Sequence, residues 1–142
     1  MSKVMVIYWS GTGNTEKMAE LITQGATSKG ASVVCKAVGN ASVSELADCD
    51  VVALGSPSMG VEVIEESEME PFFTDAASAI QGKKVAIFGS YGWGDGEWLR
   101  IWAERVREAG GVLVDEGLAV HETPDEPASA ECIAWGEKLA SN

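Results

Sequence analysis

Residues 4–15 read V-M-V-I-Y-W-S-G-T-G-N-T. The first five are apolar without alternation, which suggests a strand buried on both faces rather than one with a wet side. The remainder, Trp9 aside, is small, uncharged and rich in side-chain donors. From Asn14 onward, apolar positions recur at Met18, Leu21, Ile22 and Gly25/Ala26, the spacing of one helical face. A buried strand, a glycine-rich loop and an amphipathic helix are therefore expected by Ser28, the opening half of a βαβ unit.

The same alternation runs along the chain. Apolar runs of strand length occupy 51–54, 85–88 and 112–114, with a weaker, valine-rich run at 32–35. Helical periodicity covers 97–109 and 126–140, and shorter stretches at 72–80 and 43–47 are less regular. Trp98 and Trp102 stand four apart on one helix face and are read as core. Gly30, Gly82 and Gly110–Gly111 sit where helices stop. Strands alternating with helices predict an α/β, three-layer doubly wound sandwich with a five-stranded parallel sheet of order 2-1-3-4-5. One domain spanning 1–142 is expected. In such sheets ligands bind beyond the strand carboxyl ends, at the switch between strands 1 and 3. Three loops then matter, at 9–15, 56–66 and 90–97.

Bulk properties narrow the function. Hydrophobic content of 46% and a mean hydropathy of +0.04 belong to an ordinary globular chain, and no run is long enough to span a bilayer. The opening M-S-K-V-M-V-I-Y lacks the length and cleavage site of a signal peptide, so a cytoplasmic location is expected. Cys35, Cys49 and Cys132 show no paired spacing and read as small buried thiols. The single histidine, His121, has no partner in sequence and reads as structural or solvated. The net charge of −12 opposes nucleic-acid binding, suits basic partner surfaces, and favours a monomer by self-repulsion.

The first loop resembles an anion site. Backbone N–H groups are unpaired at a helix start, where the dipole is positive. Ser10, Thr12, Asn14 and Thr15 add side-chain donors, and Gly11 and Gly13 allow close approach. A P-loop would need a lysine at a spacing that G-T-G-N-T-E-K-M at 11–18 does not provide, and a dinucleotide fingerprint would need glycine where Glu16 stands. A terminal phosphomonoester held by neutral donors is what remains.

In the third loop, Ser90, Tyr91, Gly92, Trp93, Gly94 and Asp95 set two aromatics among glycines, with few core neighbours expected. Such aromatics suit a flat ligand. In the second loop, Ser58, Met59, Gly60, Val61 and Glu62 offer a polarizable surface, a rotatable peptide and an acceptor. The acids that follow, Glu65, Glu66, Glu68 and Glu70, read mostly as a solvated face. A phosphate nest without charge, a slot for a flat ring and surrounding acids fit flavin mononucleotide (FMN). Adenine nucleotides fit less well, because nothing clamps a diphosphate or Mg²⁺.

S-G-T-G-N-T at 10–15, G-S-P-S-M-G-V-E at 55–62 and F-G-S-Y-G-W-G-D-G-E-W at 88–98 together closely resemble the flavodoxins, more narrowly the short-chain type of clostridia and related anaerobes. The likeness extends to E-P-F-F at 70–73 and to the C-terminal P-D-E-P and C-I-A-W-G-E-K-L-A. It implies tightly bound, non-covalent FMN and one-electron transfer between protein partners, shuttling between semiquinone and hydroquinone. It further implies that Ser10, Thr12, Gly13, Asn14 and Thr15 hold the phosphate, that Met59 and Trp93 flank the isoalloxazine, and that Glu62 accepts from N3–H. The Gly60–Val61 peptide is expected to flip so that the Gly60 carbonyl meets N5–H of the semiquinone. Val61, being β-branched, resists positive φ and is expected to alter that flip.

Two other functions use the same architecture. An FMN-dependent NAD(P)H oxidoreductase needs open space beside the ring, which Trp93 and Met59 are expected to close. A phosphoacceptor receiver needs acids where Tyr8, Trp9, Gly55 and Ser56 stand. An electron carrier without a substrate of its own is the expected function.

Overall fold

The computed structural model describes residues 2–59, 62–92 and 94–142. Strand β1 (Lys3–Tyr8) pairs in parallel with β2 (Ser32–Ala37) on one side and β3 (Val51–Gly55) on the other. Strand β3 pairs in parallel with β4 (Lys84–Tyr91). The fifth position is shared by two short parallel strands, β5 (Val112–Leu113) beside the start of β4 and β6 (Leu118–His121) beside its end. The order β2-β1-β3-β4-β5 is the expected one.

Strand β6 was not expected. The run at 112–114 leaves the sheet after Leu113 because Asp115 makes a local turn, its Oδ1 accepting from Gly117 N–H at 2.8 Å. The other carboxylate oxygen accepts from Trp135 Nε1 at 2.8 Å and Lys138 Nζ at 2.9 Å, which fastens the break to the last helix. The chain then re-enters beside β4.

Successive strand residues point to opposite faces, and for the central strands β1, β3 and β4 both faces are covered, so their runs are apolar nearly throughout. Val4 and Val6 pack with Met18, Ile22, Trp135 and Leu139 beneath α1 (Asn14–Ser28) and α4 (Glu126–Ala140). Met5 and Ile7 face the other way, with Phe73, Trp98 and Trp102 from α2 (Met69–Ala76) and α3 (Glu97–Glu108). Both tryptophans of α3 are fully buried, as their spacing predicts. Helix α2 begins three residues before the expected 72–80 stretch because Glu65 caps it from upstream, as described below. The 43–47 stretch is a 3-10 turn over Val43–Asp48, where Glu45 Oε1 accepts from Ser42 N–H at 2.8 Å. Among the described residues no helix is long and apolar enough to cross a membrane.

Candidate functional site

At the carboxyl ends of β1, β3 and β4 lies a groove of about 340 Å³, within the size range of small-molecule sites. Its walls come from the three loops singled out in the sequence, joined by Glu122 after β6. Among the described residues no lysine or arginine lines it.

The loop after β1 enters α1 through Gly13 at φ +99°, a left-handed backbone that glycine adopts without strain. The Ser10 hydroxyl oxygen accepts from Gly13 N–H at 3.1 Å and Glu16 N–H at 3.2 Å, which curls the loop over the helix start and leaves its own proton free to donate. Among the described residues, the N–H groups of Thr12, Asn14 and Thr15 donate to no protein acceptor. Those donors, with the side chains of Thr12 and Asn14 in the groove wall, make an anion nest at a helix N-terminus. The Thr15 side chain is buried, and its hydroxyl meets Ser90 Oγ at 3.2 Å rather than the groove. Burial and the nearby Glu16 carboxylate push the Tyr8 phenol up to about 12, so it stays a neutral donor to Glu16 Oε2 at 3.2 Å.

Trp9 both packs under the loop and edges the groove. A Cβ on Gly11 would lie 2.9 Å from its indole, so the loop can lie on the ring only with glycine there. Its Nε1 donates to Glu68 Oε1 at 3.2 Å.

In the loop after β3, Met59 and Val63 exchange backbone hydrogen bonds of 2.8 and 3.1 Å, closing a tight turn. The tip of that turn, Gly60 and Val61, lies outside the described residues, as does Trp93; the expectations placed on these three residues concern positions not described. Glu62 leaves the turn at φ +55°, and Ser58 Oγ donates to its Oε1 at 3.4 Å. A Cβ on Gly94 would meet the Glu62 carboxylate at 2.7 Å, so the third loop is held against that side chain by its lack of one. Carboxylate oxygens of Glu62, Asp95 and Glu97 lie within 4.8 Å of one another, a negative edge to the site. Asp95 is also tied to Arg100 Nη2 at 3.1 Å.

Tyr91 has more core contact than its glycine-rich surroundings suggest. Its ring lies 5.6 Å from that of Trp98 and 5.2 Å from that of His121, while one edge still lines the groove. Three residues at the carboxyl end of β6 and just beyond it are site neighbours that the sequence alone does not reveal. His121 Nε2 lies 3.3 Å from Gly92 O, Glu122 lines the groove at φ +58°, and Thr123 Oγ1 donates to Asn14 Oδ1 at 2.8 Å. Recognising β6 would have pointed to them, since its carboxyl end must open on the same edge.

The acidic run is less solvated than expected. Glu65 is buried, and its carboxylate accepts from Ser67 N–H (2.8 Å), Glu68 N–H (2.8 Å), Met69 N–H (2.9 Å) and the Ser67 hydroxyl, capping α2. Glu70 pairs with Arg105, whose guanidinium lies 4.9 Å from the Phe73 ring centre. Burial raises all three thiols, Cys132 to about 11, and all three are free, so none is activated as a nucleophile.

A family model described as Flavodoxin matches residues 6–136. The chain belongs to the flavodoxin family. Flavodoxins are FMN-binding electron carriers rather than enzymes. A flavodoxin of Clostridium beijerinckii is 50% identical over 96% of this chain and 98% of that one. The solution structure of two-electron reduced Megasphaera elsdenii flavodoxin superposes with a TM-score of 0.89 at 44% identity, covering 98% and 99% of the two chains. A flavodoxin structure from the domain Archaea gives 0.90 at 34% identity, over 98% and 96%. The groove suits the flavodoxin cofactor on its own chemistry: free donors for a phosphate, Met59 and Tyr91 for a flat ring, and room for both.

Proposed function

We propose that this flavodoxin is a low-potential one-electron carrier that holds FMN non-covalently in the groove and has no substrate of its own. FMN supplies the redox centre, gaining and losing single electrons at its isoalloxazine ring. The chain's part is to bind, orient and set the charge around that ring. Residues Ser10–Thr15 hold the phosphate with hydroxyl, amide and backbone donors. Residues Ser58–Glu62 and Ser90–Asp95 hold the ring, with Glu62 accepting from its polar edge. The carboxylates of Glu62, Asp95 and Glu97, with no lysine or arginine among the described lining residues, raise the cost of added negative charge there, which lowers the potential.

The observation that carries this reading is the convergence of unpaired donors in a groove that, among the described residues, no lysine or arginine lines. The chain is read as a cytoplasmic monomer, and its partners as redox proteins with basic docking surfaces. The net charge of −12 supports long-range steering toward such surfaces. Titrating purified apoprotein with FMN should give one bound flavin per chain. Electron exchange with a basic redox protein should slow as salt rises, and the loaded protein alone should not turn over NAD(P)H. Failure to bind FMN, or steady NAD(P)H oxidation, would overturn the proposal.

A further inference from the structure

Asn14 is the first residue of α1 and lines the groove. A carboxamide has two unlike ends: the oxygen only accepts, and the nitrogen donates two hydrogens. Toward a phosphate dianion only the nitrogen is useful, because the oxygen would set one negative end against another. In this chain Asn14 Oδ1 takes a 2.8 Å hydrogen bond from Thr123 Oγ1, a residue 109 positions away. The nitrogen is thereby left for the groove, and among the described residues it donates to no protein group. Reversing the amide would point a carbonyl oxygen at the anion, so the orientation with its oxygen on Thr123 is the one that satisfies both ends.

Thr123 can act this way because its backbone is held on both sides. Just before it, Glu122 N–H donates to Tyr91 O at 2.8 Å, extending the pairing of β6 with β4. Glu122 itself adopts φ +58°, which turns the chain out of the sheet toward α1. Just after it, Asp125 Oδ1 accepts from Ala128 N–H at 2.9 Å and caps α4. A hydroxyl fixed between a sheet edge and a helix cap gives up little freedom when it bonds.

We propose that Thr123 is a positioning residue for the cofactor phosphate, acting through the Asn14 amide and so favouring phosphorylated over unphosphorylated flavin. The inference rests on the FMN-carrier reading above. Its test compares dissociation constants for FMN and riboflavin, from flavin fluorescence, in the parent, Thr123→Val, Thr123→Ser, Asn14→Ala and the Asn14→Ala/Thr123→Val pair. Thr123→Val should weaken FMN about tenfold and leave riboflavin unchanged. Thr123→Ser should bind FMN like the parent, and the double variant no more weakly than Asn14→Ala. Parent-like FMN binding by Thr123→Val, or equal losses for both flavins, would overturn the role of Thr123. A parent that binds no FMN would instead overturn the carrier reading and this inference with it. An Asn14→Ala variant that binds FMN undiminished would overturn the placement of the phosphate.

Discussion

The Thr15 hydroxyl lies 3.2 Å from the Ser90 hydroxyl, and both side chains are buried. This contact joins the first turn of α1 to the end of β4, so the donor-rich loop before α1 and the strand end that carries Tyr91 share one rigid support. Thr15→Val keeps the shape but leaves Ser90 without its partner. It should lower unfolding free energy by about 1–2 kcal/mol in urea, whereas Thr15→Ser should lose less than half as much. Equal stability of the parent and Thr15→Val would contradict this linkage.

Glu65 makes stability depend on pH in a defined direction. Burial opposes its ionisation, but hydrogen bonds from Ser67, Met69 and Glu68 outweigh it and hold the carboxyl below its usual 4.5. A folded pKa below the unfolded one gives stability that is complete above the unfolded value and is lost as pH falls through the folded one. Glu65→Gln should therefore cost about 1.5–3 kcal/mol at pH 7. The gap to the parent should narrow as pH drops below about 4.5. Denaturation of both proteins at pH 7 and in that acid range checks the sign.

Gly94 has φ +85° and stands where a Cβ would meet the Glu62 carboxylate at 2.7 Å. Gly94→Ala should cost about 1–2 kcal/mol through the left-handed backbone alone. It should also displace Glu62 and weaken FMN by at least about tenfold, a 1.4 kcal/mol loss. Measuring FMN affinity and apoprotein stability together separates the two effects, and unchanged affinity would remove Glu62 from ring recognition.

The Glu70–Arg105 pair, 2.5 Å at its shorter contact and about a third exposed at each side chain, ties α2 to α3. The Arg105 hydrogen bonds are the main reason the Glu70 carboxyl lies below its usual value. A double-mutant cycle with Glu70→Gln and Arg105→Met should give a coupling of about 1 kcal/mol, falling in high salt. Arg105→Lys should restore only part of it, because lysine cannot reproduce the two-point contact or the guanidinium face on Phe73.

Much of this was legible in the sequence, for physical reasons. A sheet covered on both faces writes its strands as unbroken apolar runs, so β1, β3 and β4 were plain and the strand order followed from alternation with helices. Trp98 and Trp102 declared themselves by four-residue spacing. What stayed hidden depended on single side chains turning inward. Glu65 looks solvated within E-E-S-E-M-E, and only its position before α2 makes it a buried cap. Strand β6 was concealed by the Asp115–Gly117 turn and by its short, alternating burial. With β6 unrecognised, Glu122 and Thr123 could not be brought to the groove. The donor-rich character of Ser10–Thr15 is readable because backbone N–H groups at a helix start are unpaired whatever the distant fold. Thr123 on Asn14 could come only from the fold.

The most direct test of the carrier assignment is a spectroelectrochemical titration of the FMN-loaded protein. It predicts two one-electron steps separated by more than about 120 mV, a hundredfold preference for the singly reduced form, with the second step at low potential. A single two-electron wave near the potential of free FMN would contradict it.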